Sequence, residues 1–242
     1  STILGFGIFS ILVLIIYRKI ITGNIYLDIA LLTYMIYREL LTFSRGGMLA
    51  SLIVILIFLY YHFKNSKKAV KNFLKLSILL VFSSYFLFDY TNSLTGGILK
   101  YRYTGKNTQG VMKRDFTSNR LGFAQDELEI FLENPVFGAG PGGSTYYRNR
   151  NFNMHSGSTH NEITRMISEH GIIGIGLLFF LLSSPLIYIY RYNHPYKEFL
   201  LAFYLFWFLT INHSAMRLAF PSIMYGLSLI ILRKNEVIIH RK

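Results

Sequence analysis

Residues 159–190 read THNEITRMISEHGIIGIGLLFFLLSSPLIYIY. From Gly171 to Tyr190 this stretch carries no charge, and as a helix it is long enough to cross the hydrocarbon core of a bilayer. A polar helix start, Thr159-His160-Asn161-Glu162, stands directly before it. Thr159 and Glu162 have the T-x-x-E spacing of a capping box, which makes His160 the first helical residue, and Gly171 suits a C-prime position. A polar helix end set on an apolar span is the arrangement around which the rest of the chain can be read.

Working outward, six more apolar segments bring the total to seven: 3–17, 26–43, 47–63, 73–90, 171–190, 198–213 and 215–232. The second carries Asp28, Arg38 and Glu39 within it. Arg18 and Lys19 follow the first segment, and Lys64, Lys67, Lys68, Lys71 and Lys75 fill the third connection without an acid. Arg191 and Lys197 flank the fifth connection, and Arg233, Lys234, Arg241 and Lys242 close the chain. With seven spans these clusters share one side, which the positive-inside rule makes cytoplasmic. The expected fold is therefore all-α, a polytopic membrane domain over 1–242 of about seven transmembrane helices. One large, partly helical extracytoplasmic loop, 91–170, is inserted between the fourth and fifth, and the C-terminus is cytoplasmic.

Composition agrees. The 242 residues are 52% hydrophobic and 17% aromatic, and the apolar residues come in blocks. The formal net charge is +13, but the basic residues mostly lie beside apolar segments, where topology explains them and nucleic acid is not needed as a partner. The absence of cysteine excludes disulfides, Cys-zinc sites and a Cys nucleophile. The chain opens Ser1-Thr2-Ile3-Leu4 and reads as a piece that begins inside a membrane domain.

The loop is where soluble-phase chemistry can sit. From Ser118 to Asn134, Leu121, Ala124, Leu128 and Phe131 recur at helical spacing, which predicts an amphipathic helix on the membrane domain or the interface. Asn134-Pro135 stops it, and Arg120 lies in its first turn. The run Gly138-Ala139-Gly140-Pro141-Gly142-Gly143 either presents backbone amides to phosphate or is a flexible turn. It lacks the Lys-Ser/Thr of a P-loop. His160 has two readings on its residues alone: a polar residue at a helix start, or a neutral base beside a helix end suited to phosphate oxygens. Arg38 and Arg45, seven residues apart, either line a cavity and grip diphosphate or form a neighbour pair with Glu39 and an interfacial anchor. Arg148, Arg150 and Arg165, with Tyr146, Tyr147 and Phe152, read as a basic, aromatic surface. His213 and Arg217 mark the external ends of the last two segments. No metal site and no cofactor is expected, since His155 and His160 have no acidic residue between them and no HExxH is present.

Three pieces in order carry a resemblance. They are Leu41-Thr42-Phe43-Ser44-Arg45-Gly46-Gly47 before a span, Asn134-Pro135-Val136-Phe137-Gly138-Ala139-Gly140-Pro141-Gly142 in the loop, and His160-Asn161-Glu162 followed by Glu169-His170-Gly171-Ile172-Ile173-Gly174. Together they resemble the O-antigen polymerase/ligase family of bacterial membrane glycosyltransferases, over roughly residues 26–190 and in its carboxy-terminal part. The resemblance implies metal-independent, inverting transfer of a glycan from undecaprenyl pyrophosphate to an acceptor sugar hydroxyl at the outer face of the cytoplasmic membrane. The family's loop histidine matches His160, its S-R-G arginine matches Arg45, and a loop arginine before the N-P-x-x-G-x-G segment matches Arg120. These are the expected catalytic residues. Asn161, Arg38, Arg165, Gly138, Gly140, Gly142 and Arg217 are the expected substrate-binding set. Of the two R-x10-G motifs described for some polymerases, only Arg165 to Gly176 fits.

The implied partners are the undecaprenyl pyrophosphate-linked oligosaccharide, an acceptor glycan, the lipid bilayer, and a chain-length regulator or flippase, with no nucleic acid. The rival functional class is a transporter or flippase for lipid-linked sugars. It predicts charges near mid-span and paired broken helices in two repeats, whereas the polar residues here gather at one face and in one loop.

Overall fold

A computed structural model describes residues 1–17, 22–63, 67–107, 109–112, 119–150, 161–192, 196–212 and 219–230. Among these the chain is helical, and an isolated Lys106–Met112 bridge is its one strand-like pairing. In order the helices are α1 (Thr2–Ile16), α2 (Ile25–Leu40), α3 (Arg45–Phe63), α4 (Lys67–Leu94), α5 (Ile98–Tyr103), α6 (Arg120–Glu133), α7 (Gly143–Arg150), α8 (Glu162–Arg191), α9 (Lys197–Ile211) and α10 (Ala219–Leu227). Each of the seven apolar segments falls on a helix. Of these, α3 and α8 are both long and apolar enough to cross a membrane, with mean hydropathies of 1.9 and 2.3, while α1 is apolar but shorter. Two further helices, α5 and α7, lie in the connection read as a loop.

The core forms where α1, α3, α8, α9 and α10 meet, and it is built from aromatic rings. Phe9 stands edge-on to Phe58 at 5.1 Å and to Phe206 at 5.7 Å, and Trp207 packs on Tyr225 at 4.9 Å. Rings of this size bury large area with two torsions each, so they fix the helix register strongly. Close approach of α1 to α3 depends on a small residue: a Cβ on Gly5 would lie 1.6 Å from Ser51 Oγ. In α8, Pro185 deprives the preceding turn of a backbone donor. The Tyr204 hydroxyl donates to the Leu182 carbonyl of that turn at 3.1 Å.

The feature that matters most for function is a break in α8. Gly171 has φ 60° and ψ −142°, so the helix turns there between a short N-terminal piece and the long apolar piece. A left-handed glycine was legible as a helix terminator. In the fold a second helical segment follows it at once.

Candidate functional site

The start of α8 is capped by Asn161, whose Oδ1 accepts from the Ile163 amide at 2.9 Å. The expected Thr159–Glu162 capping box is thereby corrected. Glu162 is the first helical residue, too early to reach back as a box partner, and its buried carboxylate instead receives Arg165 one turn on. The helix begins two residues after His160, so His160 is not its first residue. His160 itself, with Thr159, Phe152, His155, His213 and Arg217, lies outside the described residues.

Around this helix end α6, α7 and α8 share a buried ionic network. Arg148 of α7 meets Glu127 of α6 at 3.1 Å, with both side chains fully removed from solvent. Thr164 Oγ1 donates to the other oxygen of Glu127 at 2.5 Å. Arg165 also pairs with Glu169 at 2.7 Å, and Ser144 at the start of α7 donates to Glu169 at 2.9 Å. The Arg148 guanidinium sits 5.5 Å over the Phe123 ring. Charges withdrawn from water are tolerated only when paired and hydrogen-bonded on most sides, and the geometry supplies that here. Each carboxylate therefore ties one element to another: Glu127 joins α6 to α7 and α8, and Glu169 joins α7 to α8.

Two expectations are corrected at this point. Arg148 does not contribute to a basic, aromatic surface, because it is 1% exposed and committed to Glu127. Arg150 keeps that character, lying 4.8 Å over the Tyr146 ring. Of the two placements expected for α6, packing of its apolar stripe on the membrane domain is not seen, since its buried residues are Asp126, Glu127 and Ile130 while Leu121 and Leu128 are exposed.

The glycine-rich segment docks on the break in α8. Ala139 and Gly140 donate their amides to the carbonyls of Ser168 and Glu169 at 2.8 and 3.0 Å, and Ile172 donates to Pro135 at 2.9 Å. The approach is close. A Cβ on Gly138 would lie 2.3 Å from the Glu169 carbonyl carbon, and one on Gly171 would lie 2.5 Å from the Val136 oxygen. The amides of Gly138 and Gly140 are thus engaged by protein carbonyls, Gly138 bonding back to Asn134 at 2.9 Å. Gly142 is exposed, with φ +74° and open space around it.

A second polar cluster occupies the α2–α3 corner. Ser51 donates to the buried carboxylate of Glu39 at 2.9 Å, Arg45 is the first residue of α3, and Arg102 of α5 donates to the Phe43 carbonyl at 3.3 Å. The Tyr103 hydroxyl donates to the Met48 sulfur. Burial, helped by Glu39, pushes the Tyr103 phenol up to about 12 against the opposing pull of Arg45 and Arg102, so it stays a neutral hydroxyl.

Of the residues expected to act together, the structure gathers Asn161, Arg165, Gly138 and Gly140 around the first turns of α8. Arg45 belongs to the α2–α3 corner, with Arg38 exposed in the last turn of α2. Arg120, exposed, opens α6 behind the left-handed Asn119. Glu127, Ser144, Thr164 and Glu169 were not singled out from sequence. No local sequence pattern marks them, since each acts through a partner on another helix.

The O-antigen ligase family profile matches residues 29–179. The chain belongs to that family. The matched region begins on α2 and ends in α8 beyond the break, so it contains the α2–α3 corner, the docked glycine segment and the whole ionic network. No curated protein and no solved structure matches the chain. Membership in the O-antigen ligase family places the protein in a membrane, among enzymes that transfer lipid-linked glycans.

Proposed function

We propose that the protein is a bacterial inner-membrane glycosyltransferase of the O-antigen or capsular polymerase/ligase type. It moves a glycan from undecaprenyl pyrophosphate to an acceptor sugar hydroxyl without a metal. The supporting observation is the family match over the segment in which three elements are locked to the start of α8, the helix that His160 precedes by two residues. A site fastened by buried ion pairs is held in place, which catalysis by positioning requires.

In the step we infer, His160 takes the proton of the acceptor hydroxyl as its oxygen bonds to the anomeric carbon. The bond from that carbon to the diphosphate oxygen breaks with inversion, and the pair of electrons leaves on the diphosphate. Arg45 and Arg120 hold that departing charge, a task suited to forked guanidiniums. Asn161, Arg38, Arg165, Arg217 and the exposed Gly142 belong to the substrate-binding surroundings. The topology that goes with this reading has seven spans, the 91–170 loop outside and the basic connections with the C-terminus inside.

The test is substitution of His160 by Ala and by Gln in a strain lacking the chromosomal copy, with membrane insertion verified. Loss of polymer is expected, and full-length polymer from either variant overturns the assignment. The deletion also sorts the two activities. Loss of the ladder with single repeats retained identifies a polymerase, whereas polymer left on carrier lipid identifies a ligase.

A further inference from the structure

The helix α6 has two opposite faces, and only one is buried among the described residues. Ile130 and Glu127 are fully buried, and Glu127 is tied to α7 through Arg148 and to α8 through Thr164. The other side carries Leu121, Leu128 and Leu132, 66%, 48% and 73% exposed, at spacings of seven and four that align them in one stripe. The stripe continues into the following turn through Val136 and Phe137, 54% and 74% exposed. An apolar strip of this length left open to water is unusual for a folded surface and marks a contact.

What covers it follows from where it ends. The Ile172 amide donates to Pro135, and Gly138 packs directly on the backbone of Glu169 and His170. Val136 and Phe137 are therefore held beside Ile172 and Ile173, which are 62% and 52% exposed. Those isoleucines open the long apolar piece of α8, whose membrane-crossing reading comes from its length and hydropathy. Lipid that surrounds Ile172 and Ile173 also meets Phe137, and the leucine stripe extends that surface away from the span by roughly 16 Å along the α6 axis. Polar Gln125, Glu129 and Glu133 are exposed along one flank of the stripe, as in a helix lying at headgroup level.

We infer that α6 and the Val136–Phe137 turn form a monotopic anchor, inserted into the leaflet at the end of α8 that carries Asn161. The occupant of the face is the bilayer itself. The inference rests on the membrane reading of α8 and deepens the proposed function. An anchored α6 holds the ionic network, and with it the start of α8, at the depth where the pyrophosphate of a lipid-linked substrate lies.

The chain has no cysteine, so single labels can be placed without removing any. Cysteines introduced as Leu132→Cys, Phe137→Cys, Glu129→Cys and Phe180→Cys, each at an exposed position, are nitroxide-labelled. The proteins are reconstituted in vesicles of phosphatidylethanolamine and phosphatidylglycerol. Collision with oxygen and with a water-soluble nickel chelate is then compared by power-saturation EPR. The inference predicts that labels at 132 and 137 favour oxygen as the label at 180 does, with nickel collisions severalfold below those at 129. Nickel collision at 132 and 137 equal to that at 129, with 180 still lipid-like, overturns the anchor alone. Exclusion of both reagents from 132 and 137 also overturns it, because protein then covers the face. Nickel access at 180 as well removes the membrane reading of α8 and the anchor with it.

Discussion

Replacing Arg148 by Met should part α7 from α6 and loosen the unit they form with α8. In the native protein the Arg148–Glu127 pair is 3.1 Å long and wholly buried, and Thr164 also donates to Glu127. The methionine fills much of the volume over Phe123 but withdraws the guanidinium from a carboxylate in a dry site. Breaking a buried pair from one side costs about 3–5 kcal/mol, whereas replacing both partners by apolar groups is often neutral or better. The single variant should therefore lose that amount locally, and Arg148→Met combined with Glu127→Leu should regain most of it. The readout is amide hydrogen exchange across 120–133 in detergent or nanodiscs. At about 1.4 kcal/mol per tenfold change, protection should fall by roughly two to three and a half orders of magnitude in the single variant. A surface pair would contribute about 1 kcal/mol or less. Single-variant protection within that margin of the native value, or a double variant no better than the single, refutes the claim that this pair fastens the unit.

Three other outcomes follow from the same geometry. Gly138→Ala combines a left-handed backbone, costing about 1–2 kcal/mol, with a Cβ driven into the Glu169 backbone. Gly140→Ala meets only the first of these. Limited proteolysis of the 134–143 turn should therefore be accelerated far more by the substitution at 138 than by the one at 140. Arg45→Lys should slow glycan transfer on the order of a hundredfold, the scale seen when one transition-state donor is lost, in an assay of product per inserted molecule. Tyr103 has a folded pKa raised above its ordinary value of 10.0 to about 12. Its contribution is intact below pH 10 and is lost as pH rises from about 10 to about 12, at about 1.4 kcal/mol per pH unit. Alkaline denaturation of Tyr103→Phe should lack that slope.

Much of the helical framework was legible because apolar runs are a strong, local signal. Each of the seven segments met a helix, and the extent of α6 followed from its periodicity and the Asn134-Pro135 stop. The side of α6 that faces the protein was not legible. Periodicity reveals an apolar stripe but not its neighbour, and in the fold the stripe is exposed while Asp126 and Glu127 turn in. Arg148 looked like surface charge because its partner lies 21 residues away on another helix, a pairing no local pattern encodes. The cap at α8 was misplaced by two residues, since Thr159 and Asn161 both suit an N-cap and only the backbone distinguishes them. The helices α5 and α7, with 6 and 8 residues, are too short to show a period. The roles of Gly138 and Gly171 depend on one another, each leaving room for the other's backbone.

The most direct test of the whole account is a reconstituted reaction. Purified protein in vesicles is given an undecaprenyl pyrophosphate-linked oligosaccharide and an acceptor glycan, with EDTA present, and both the new glycosidic bond and the released undecaprenyl pyrophosphate are counted. The account predicts one released carrier per bond formed by the native protein and none of either with His160→Gln. Equal transfer by the His160→Gln protein, or movement of the lipid-linked glycan across the membrane with no bond formed, would contradict it.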